Sequence, residues 1–477
     1  MGEIWVPPPS VDTSVDAARR SACATVWCET VLKIIVGWLV VTGAMAQDTR
    51  NVTEPAIPRS CAVLSANLTA VDSNKTLAAA DEAKPDTGRI QKALDGCAKG
   101  QSVELKPDGA HNAFLSGPLN LRAGVTLHIN TKAILFGSRN PKDYELRPGS
   151  CGIVDQRGHG CRALINGDNA PHSAVMGDGT IDGRGWAKIT GKDVSWWDLA
   201  EQARAGGSQN CPRLIVVAHS DDFTLYRVTL KNSGNFHVVY SAGSGFTAWG
   251  VIIDTPKTGR NTDGIDPSAA TNVTITHCFI STGDDNVAIK AGGHCSHMTI
   301  AHNHFYAGHG MSIGSETNGG ADTIRVSDLS IDGADNGIRI KSNSGKGGLV
   351  HDIEYSDVCI RDTKYPIYMD SDYAHYGKSG DKLPEFTGIV LRDVRVLTGG
   401  RITLQGYDEK HRLGMTFDNV YFDKPQDTKV LAEHAALNFG PGFVNLHLAG
   451  TDVTVKGAPV TGTPNACAEK FVPLPVR

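Results

Sequence analysis

Four short polar clusters carry the chemistry open to this sequence: Asn261-Thr262-Asp263, Gly283-Asp284-Asp285, Gly308-His309-Gly310 and Arg339-Ile340-Lys341. Asp263 to Asp284 is 21 residues, and Asp285 to His309 is 24. If each spacing is one turn of a stacked ribbon, equivalent positions on adjacent turns lie about 4.8 Å apart. Asp263, Asp284 and Asp285 then converge, with His309 one step beyond. Three carboxylates so close repel too strongly for all to ionise, so one keeps its proton at mildly acidic pH. An acid beside a carboxylate is the requirement of inverting glycoside hydrolysis. One group protonates the leaving oxygen, and the other deprotonates a water on the opposite face of the sugar. Arg339 and Lys341 flank Ile340, so both leave one strand face while Ile340 points to the core. A guanidinium with an ammonium suits a substrate bearing carboxylates. Lys257, Arg260 and Lys290 add the local positive field that would draw a polyanion to a chain of net charge −5.

The elements that would hold these clusters repeat. Eight octets align: FTLYRVTL from Phe223, FTAWGVII from Phe246, VTITHCFI from Val273, MTIAHNHF from Met298, IRVSDLSI from Ile324, IEYSDVCI from Ile353, IVLRDVRV from Ile389 and MTFDNVYF from Met415. Each is β-rich, with apolar residues alternating through its first half and Gly, Asn or Asp turn signals after it. A shorter apolar beat falls between them: GIDP at Gly264, NVAIK at Asn286, GMSIG at Gly310, GIRIK at Gly337 and PIYMD at Pro366. Two or three short strands per repeat, with no room for helices, describe one coil of a parallel β-helix. The expected fold is therefore all-β: a single-domain, right-handed parallel β-helix. GRIQKALDGC (Gly88–Cys97) reads as a short amphipathic helix capping its N-terminal end. A sandwich or propeller would show strands paired across two-residue turns, which this pattern lacks.

Composition narrows the class further. Hydrophobic residues make up 40% and charged residues 20%, which permits a large core. Gly is abundant, at 53 of 477, without a three-residue period, so tight turns are implied and collagen is excluded. The slightly acidic balance argues against a nucleic-acid binder. Residues 1–46 read as a signal peptide: Arg19 and Arg20, an uncharged apolar stretch from Ile34 to Ala46, then Ala44-Met45-Ala46 as a small-x-small cleavage site. That stretch is shorter than the about 20 residues a membrane-spanning helix needs. Residues 47–477 form the expected catalytic domain, secreted and free of the membrane once processed. Of 11 cysteines, Cys23 and Cys28 leave with the leader, and the odd remainder leaves at least one thiol unpaired within the chain. Cys151 with Cys161, and Cys61 with Cys97, are the expected disulfides. No CxxC pair supports a structural zinc.

NTD, GDD, GHG and RIK in this order, on such a repeat, resemble the polygalacturonases, family 28 of the glycoside hydrolases, and among them the secreted bacterial endo-acting enzymes. The similarity extends through SCAVL at Ser60, FLSGPLNL at Phe114, SWWDLA at Ser195, NFHVV at Asn235, GRNTDGIDP at Gly259, TGDDNVAIK at Thr282 and GHGMSIGSET at Gly308. The resemblance implies hydrolysis of α-1,4 bonds between galacturonates of pectin, with inversion, by a monomer with no cofactor or metal. It makes Asp284 the general acid, and Asp263 and Asp285 the groups that hold and deprotonate the water. His309 would support the acid, Arg339 and Lys341 would clamp a substrate carboxylate, and Tyr373 in DSDYAHY would contact substrate.

Other residues have plainer readings. Asp254, Asp335 and Asp352 are expected to cap turn N–H groups, and Asp266 to serve either turn or site. Asn235, Asn272 and Asn303 suit stacked amide ladders. Trp196 and Trp197 suit core packing or a sugar contact. Two rival functions remain: a calcium-dependent pectate lyase, with carboxylates ligating Ca²⁺, and a β-helical binding protein without catalysis. The spacing of the octets leaves no room for long insertions, which favours an open cleft and mid-chain cutting.

Overall fold

In the octets, alternation puts every second residue on one face, and stacking buries that face against the coils above and below. The computed structural model describes residues 47–375, 380–458 and 461–476; the expected signal peptide lies outside them. All eight octets stack in parallel, in the alignment read from the sequence. Leu225, Ala248, Ile275, Ile300, Val326, Tyr355, Leu391 and Phe417 pair in succession and are fully buried. The fifth residue of each octet explains why alternation stops half-way. Arg227, Gly250, His277, His302, Asp328, Asp357, Asp393 and Asn419 all sit at φ between 46° and 64°, a corner that turns the chain into its next strand. Gly, Asn, Asp and His tolerate this left-handed region better than other residues do.

The second beat forms the sheet that carries the site. Its strands are β1 (Val238–Ser241), β2 (Ile265–Ser268), β3 (Val287–Ile289), β4 (Met311–Gly314), β5 (Asn336–Lys341) and β6 (Tyr365–Asp370). Val238, Ile265, Val287, Met311, Ile338 and Ile367 pair in order and point into the core. Among the described residues, 32 strands pair in one parallel system wound as a right-handed β-helix.

Among the described residues, two α-helices depart from the coil. α1 (Thr87–Gly96) stands where expected and adds Ile90 and Leu94 to the end of the core, tied down by the Cys61–Cys97 disulfide. α2 (Trp196–Gln202) holds SWWDLA; Ser195 and Asp198 form its capping box, and Trp196 is fully buried. Trp196 thus takes the core-packing reading, while Trp197 is half-buried and donates Nε1–H to the Ser233 carbonyl. The Cys151–Cys161 disulfide also forms. A third, Cys359–Cys467, joins a coil to the C-terminal tail, and among the described residues Cys211, Cys278 and Cys295 are buried thiols. No described helix is long and apolar enough to cross a membrane.

Candidate active site

Register brings the clusters together. Because Ile265 pairs with Val287 and Val287 with Met311, the residues two positions earlier, Asp263, Asp285 and His309, stand at one level on three successive coils. Asp284 precedes Asp285 on the same turn. The fourth cluster lies further along its coil than the spacing suggested: Arg339 pairs with Ser312, and Lys341 with Gly314. The two cations therefore reach back over β4 to the acids. Ile340 points into the core between them, as alternation required.

Each carboxyl has a distinct environment. Asp285 is fully buried. Its Oδ1 accepts from Arg339 Nη1 at 3.0 Å and Ser312 Oγ at 2.7 Å, and its Oδ2 accepts from Lys341 Nζ at 2.8 Å. Burial alone would push this group up, but Lys341 and Arg339 outweigh it and hold the carboxyl far below the usual carboxylate range. Asp263 is buried too, with Oδ2 on Lys290 Nζ at 3.0 Å and Oδ1 without a protein partner. Burial pushes it up to about 7; Lys290 opposes the shift, and the charges of Asp284 and Asp285 add to it. Asp266, three residues on and inside β2, has both oxygens buried without a hydrogen bond, and burial next to Asp263 raises it well above normal. Asp266 thus belongs to the cluster and not to a turn.

Asp284 is the most open of the four, with its side chain one-fifth exposed. Its Oδ1 meets His309 Nδ1 at 3.0 Å and the Asp285 N–H at 2.9 Å; its Oδ2 takes Asn261 Nδ2 at 3.4 Å. Burial raises this group, but the His309 hydrogen bond and positive neighbours bring it below normal. The retained proton that crowding demands therefore sits on the Asp263–Asp266 side, not on Asp284. His309 gains correspondingly: burial disfavours its charge, yet the Asp284 bond and the nearby acids raise it.

Aromatic rings line the cationic side. The Arg339 guanidinium lies 5.6 Å from the Tyr368 ring centre and 5.3 Å from that of Tyr373, and its Nη2 donates to the Tyr373 hydroxyl at 3.3 Å. Lys341 Nζ is 5.5 Å from the Tyr373 ring centre, and Lys290 Nζ 5.3 Å from that of Phe236. All seven residues picked from the sequence thus share one site. Sequence reasoning missed Ser312, Tyr368 and Phe236. Ser312 was recoverable, since the alternation of GMSIG faces it outward beside the acids. A cavity of about 740 Å³ continues from Asn261 and Phe236 past Arg213, Arg260 and Arg162.

Several plainer expectations change. Asp335 takes Lys257 Nζ at 2.7 Å, Asp352 takes Arg325, and Asp254 takes Lys231, so charge pairing and not turn capping occupies all three. Asn303 bonds the Cys278 N–H and the Ile275 carbonyl, and Asn272 bonds Ser244, so neither joins an amide ladder. Asn235 Oδ1 accepts from the Phe236 N–H and the residue lines the cavity.

Asp284, Asp285 and His309 offer three ligand atoms close enough to hold a metal ion. They do not fit one. Asp285 already accepts from Arg339, Lys341 and Ser312, leaving about one acceptor site of four, and a cation would sit against two fixed positive charges.

Residues 107–435 match the glycosyl hydrolases family 28. The chain belongs to this family. It is a glycoside hydrolase. It is 44% identical to an endo-polygalacturonase of Pectobacterium carotovorum subsp. carotovorum over 80% of this chain and 91% of that one. It is 39% identical to a polygalacturonase of Ralstonia nicotianae over 89% and 92%. Its backbone matches the solved polygalacturonase of Erwinia carotovora ssp. carotovora with a TM-score of 0.76 at 42% identity, covering 82% of this chain and 100% of that one. An exopolygalacturonase from Thermotoga maritima, at 19% identity and TM-score 0.65, shares the fold.

The raised Asp263 makes a stability prediction for this family member. Unfolded, the group titrates near 3.9; folded, it holds its proton to about 7. The native state therefore binds the extra proton, and stability falls as pH rises between those values. Urea midpoints of wild type and Asp263→Asn, compared from pH 4 to pH 7.5, should show wild type losing ground steadily. Parallel curves would mean that Asp263 is ionised throughout.

Proposed function

We propose that this chain is a secreted, monomeric endo-polygalacturonase that hydrolyses α-1,4-galacturonosidic bonds of pectin with inversion. The observation that carries the reading is the difference between three adjacent carboxyls. Asp285 is pinned as a carboxylate, Asp263 keeps one oxygen free of protein partners, and Asp284 alone is open to the cleft. Asp284 is the general acid. Substrate covers it, expels water and brings its own carboxylates, all of which raise its proton affinity. Asp263 and Asp285 hold the water on the far side of the sugar, and Asp285, the ionised member of the pair, takes its proton. His309 supplies and stabilises the proton of Asp284 through the Nδ1–Oδ1 contact.

Arg339 and Lys341 each spend donors on Asp285, yet a guanidinium has five N–H groups and an ammonium three. The remainder, with Tyr373, clamp the substrate carboxylate beside the scissile bond. The arginines of the adjoining cavity match further uronate units. The three disulfides suit an oxidising, extracellular setting.

Polygalacturonate supplies the test. Viscosity should collapse while few reducing ends have formed, and NMR of the first product should show the β-anomer from the α-linked chain. Slow viscosity loss with monomer release would make the enzyme exo-acting. Retention of the α-anomer would sink the inverting mechanism. Unsaturated, ultraviolet-absorbing products abolished by EDTA would make it a lyase.

A further inference from the structure

His309 has a carboxylate on each side of its ring. Nδ1 meets Asp284 Oδ1 at 3.0 Å, and Nε2 lies 3.8 Å from Asp335 Oδ2. The other oxygen of Asp335 holds Lys257 Nζ at 2.7 Å. At 3.8 Å the Asp335 contact is one of charge and not a hydrogen bond, and a negative charge on that side of the ring favours the doubly protonated imidazolium. Asp335 lies in the turn just before β5, and its coil register places it beside His309 although the two are 26 residues apart in sequence. Lys257 comes from the turn before β2 and spans both coils to reach Asp335. The remaining charges facing His309 are Asp285, which favours its cationic form, and Arg339, which opposes it.

We propose that Asp335 is a positioning residue that acts through His309: it keeps the imidazole doubly protonated against Asp284, and Lys257 limits how strongly it does so. The inference rests on the reading of Asp284 as the general acid, and it removes a difficulty in that reading. In the free site Asp284 is the carboxylate and the proton waits on His309 Nδ1. When substrate covers Asp284, the Nδ1–H bond breaks with its electron pair staying on nitrogen, and the Oδ1–H bond forms. Asp284 then passes that proton to the leaving glycosidic oxygen. Neutral His309 recovers a proton from solvent, to which its ring is partly open. Asp335 thus sets the pH up to which the site stays loaded.

Asp335→Asn and Lys257→Gln provide opposed tests on the full chain. Both side chains are substantially exposed, so folding should tolerate either change. Removing the Asp335 charge, about 4 Å from the ring on a solvent-facing wall, shifts the ring's titration by roughly half to one pH unit, and removing Lys257, which touches Asp335, shifts it less and in the opposite direction. The alkaline limb of kcat/KM on polygalacturonate should move down by that amount in Asp335→Asn and up by a smaller amount in Lys257→Gln, with both shifts shrinking in high salt. The imidazole resonances of His309, identified by their loss in His309→Ala, should titrate with the same opposed shifts in the absence of substrate. Shifts in one direction for both variants, or none, would overturn the proposal. If wild type cleaves no polygalacturonate, the functional reading fails while the resonance titration still decides the role of Asp335.

Discussion

Asp284→Asn is expected to lower kcat on polygalacturonate by roughly 10³–10⁴-fold, near the upper end of what a positioned proton donor contributes. The amide keeps the shape of the carboxyl but has no proton acidic enough to stabilise the leaving oxygen. Substrate binding should persist, because the cationic wall of Arg339, Lys341 and Lys290 is untouched by the change. It should tighten slightly if anything, since one negative charge facing a polyanion is gone. Stability should also hold: Asp284 is the least buried acid of the cluster, and it neutralises no fully buried cation. Steady-state rates, calorimetric binding of an oligogalacturonate and a urea transition together read all three expectations. A variant within tenfold of wild type in kcat would remove Asp284 from the acid role. Tight binding with a lost rate separates this enzyme from a β-helical binding protein, whose behaviour the substitution would leave intact.

Much of this is legible in the sequence, and the reason is the solenoid itself. Each coil repeats the same inward positions, so FTLYRVTL through MTFDNVYF announced both the strand faces and their stacking register. The acids inherited that register: Asp263, Asp285 and His309 are level because their coils are 22 and 24 residues long. What stayed hidden depended on side-chain reach or long sequence separation. Arg339 and Lys341 looked like substrate clamps at the level of the other clusters. They stand further along and lean back onto Asp285, which only side-chain distances reveal. Crowding predicted a retained proton but not its owner, because ownership turns on which acid wins the cations. Lys341 and Arg339 go to Asp285, His309 to Asp284, and Asp263 shares only Lys290. Cys359–Cys467 closes a loop of 108 residues and has no local signature. The helix over Trp196–Gln202 did have one, in Ser195 three residues before Asp198, but it stands outside the repeat that guided the reading of the elements.

Asp285→Asn should separate from Asp284→Asn by damaging the fold as well as the reaction. Arg339 and Lys341 are both about 6% exposed, and their charge is balanced chiefly by Asp285. Removing one partner of a buried ion pair strands the other, and such truncations typically lose about 3–5 kcal/mol. Two cations are stranded here, although the rings of Tyr368 and Tyr373 soften the loss through their negative faces. The urea midpoint should therefore fall clearly, and kcat should fall by roughly 10³-fold, as expected when a water-activating carboxylate is lost. Asp285→Asn combined with Lys341→Met discriminates between the two kinds of damage. Matching the deleted charge with a deleted cation of similar length should return part of the lost stability. The rate should not return, because the carboxylate that receives the proton of water is still missing. A single Asp285→Asn variant as stable as wild type would mean that the cations find other anions, and that Asp285 is not the charge around which this site is built.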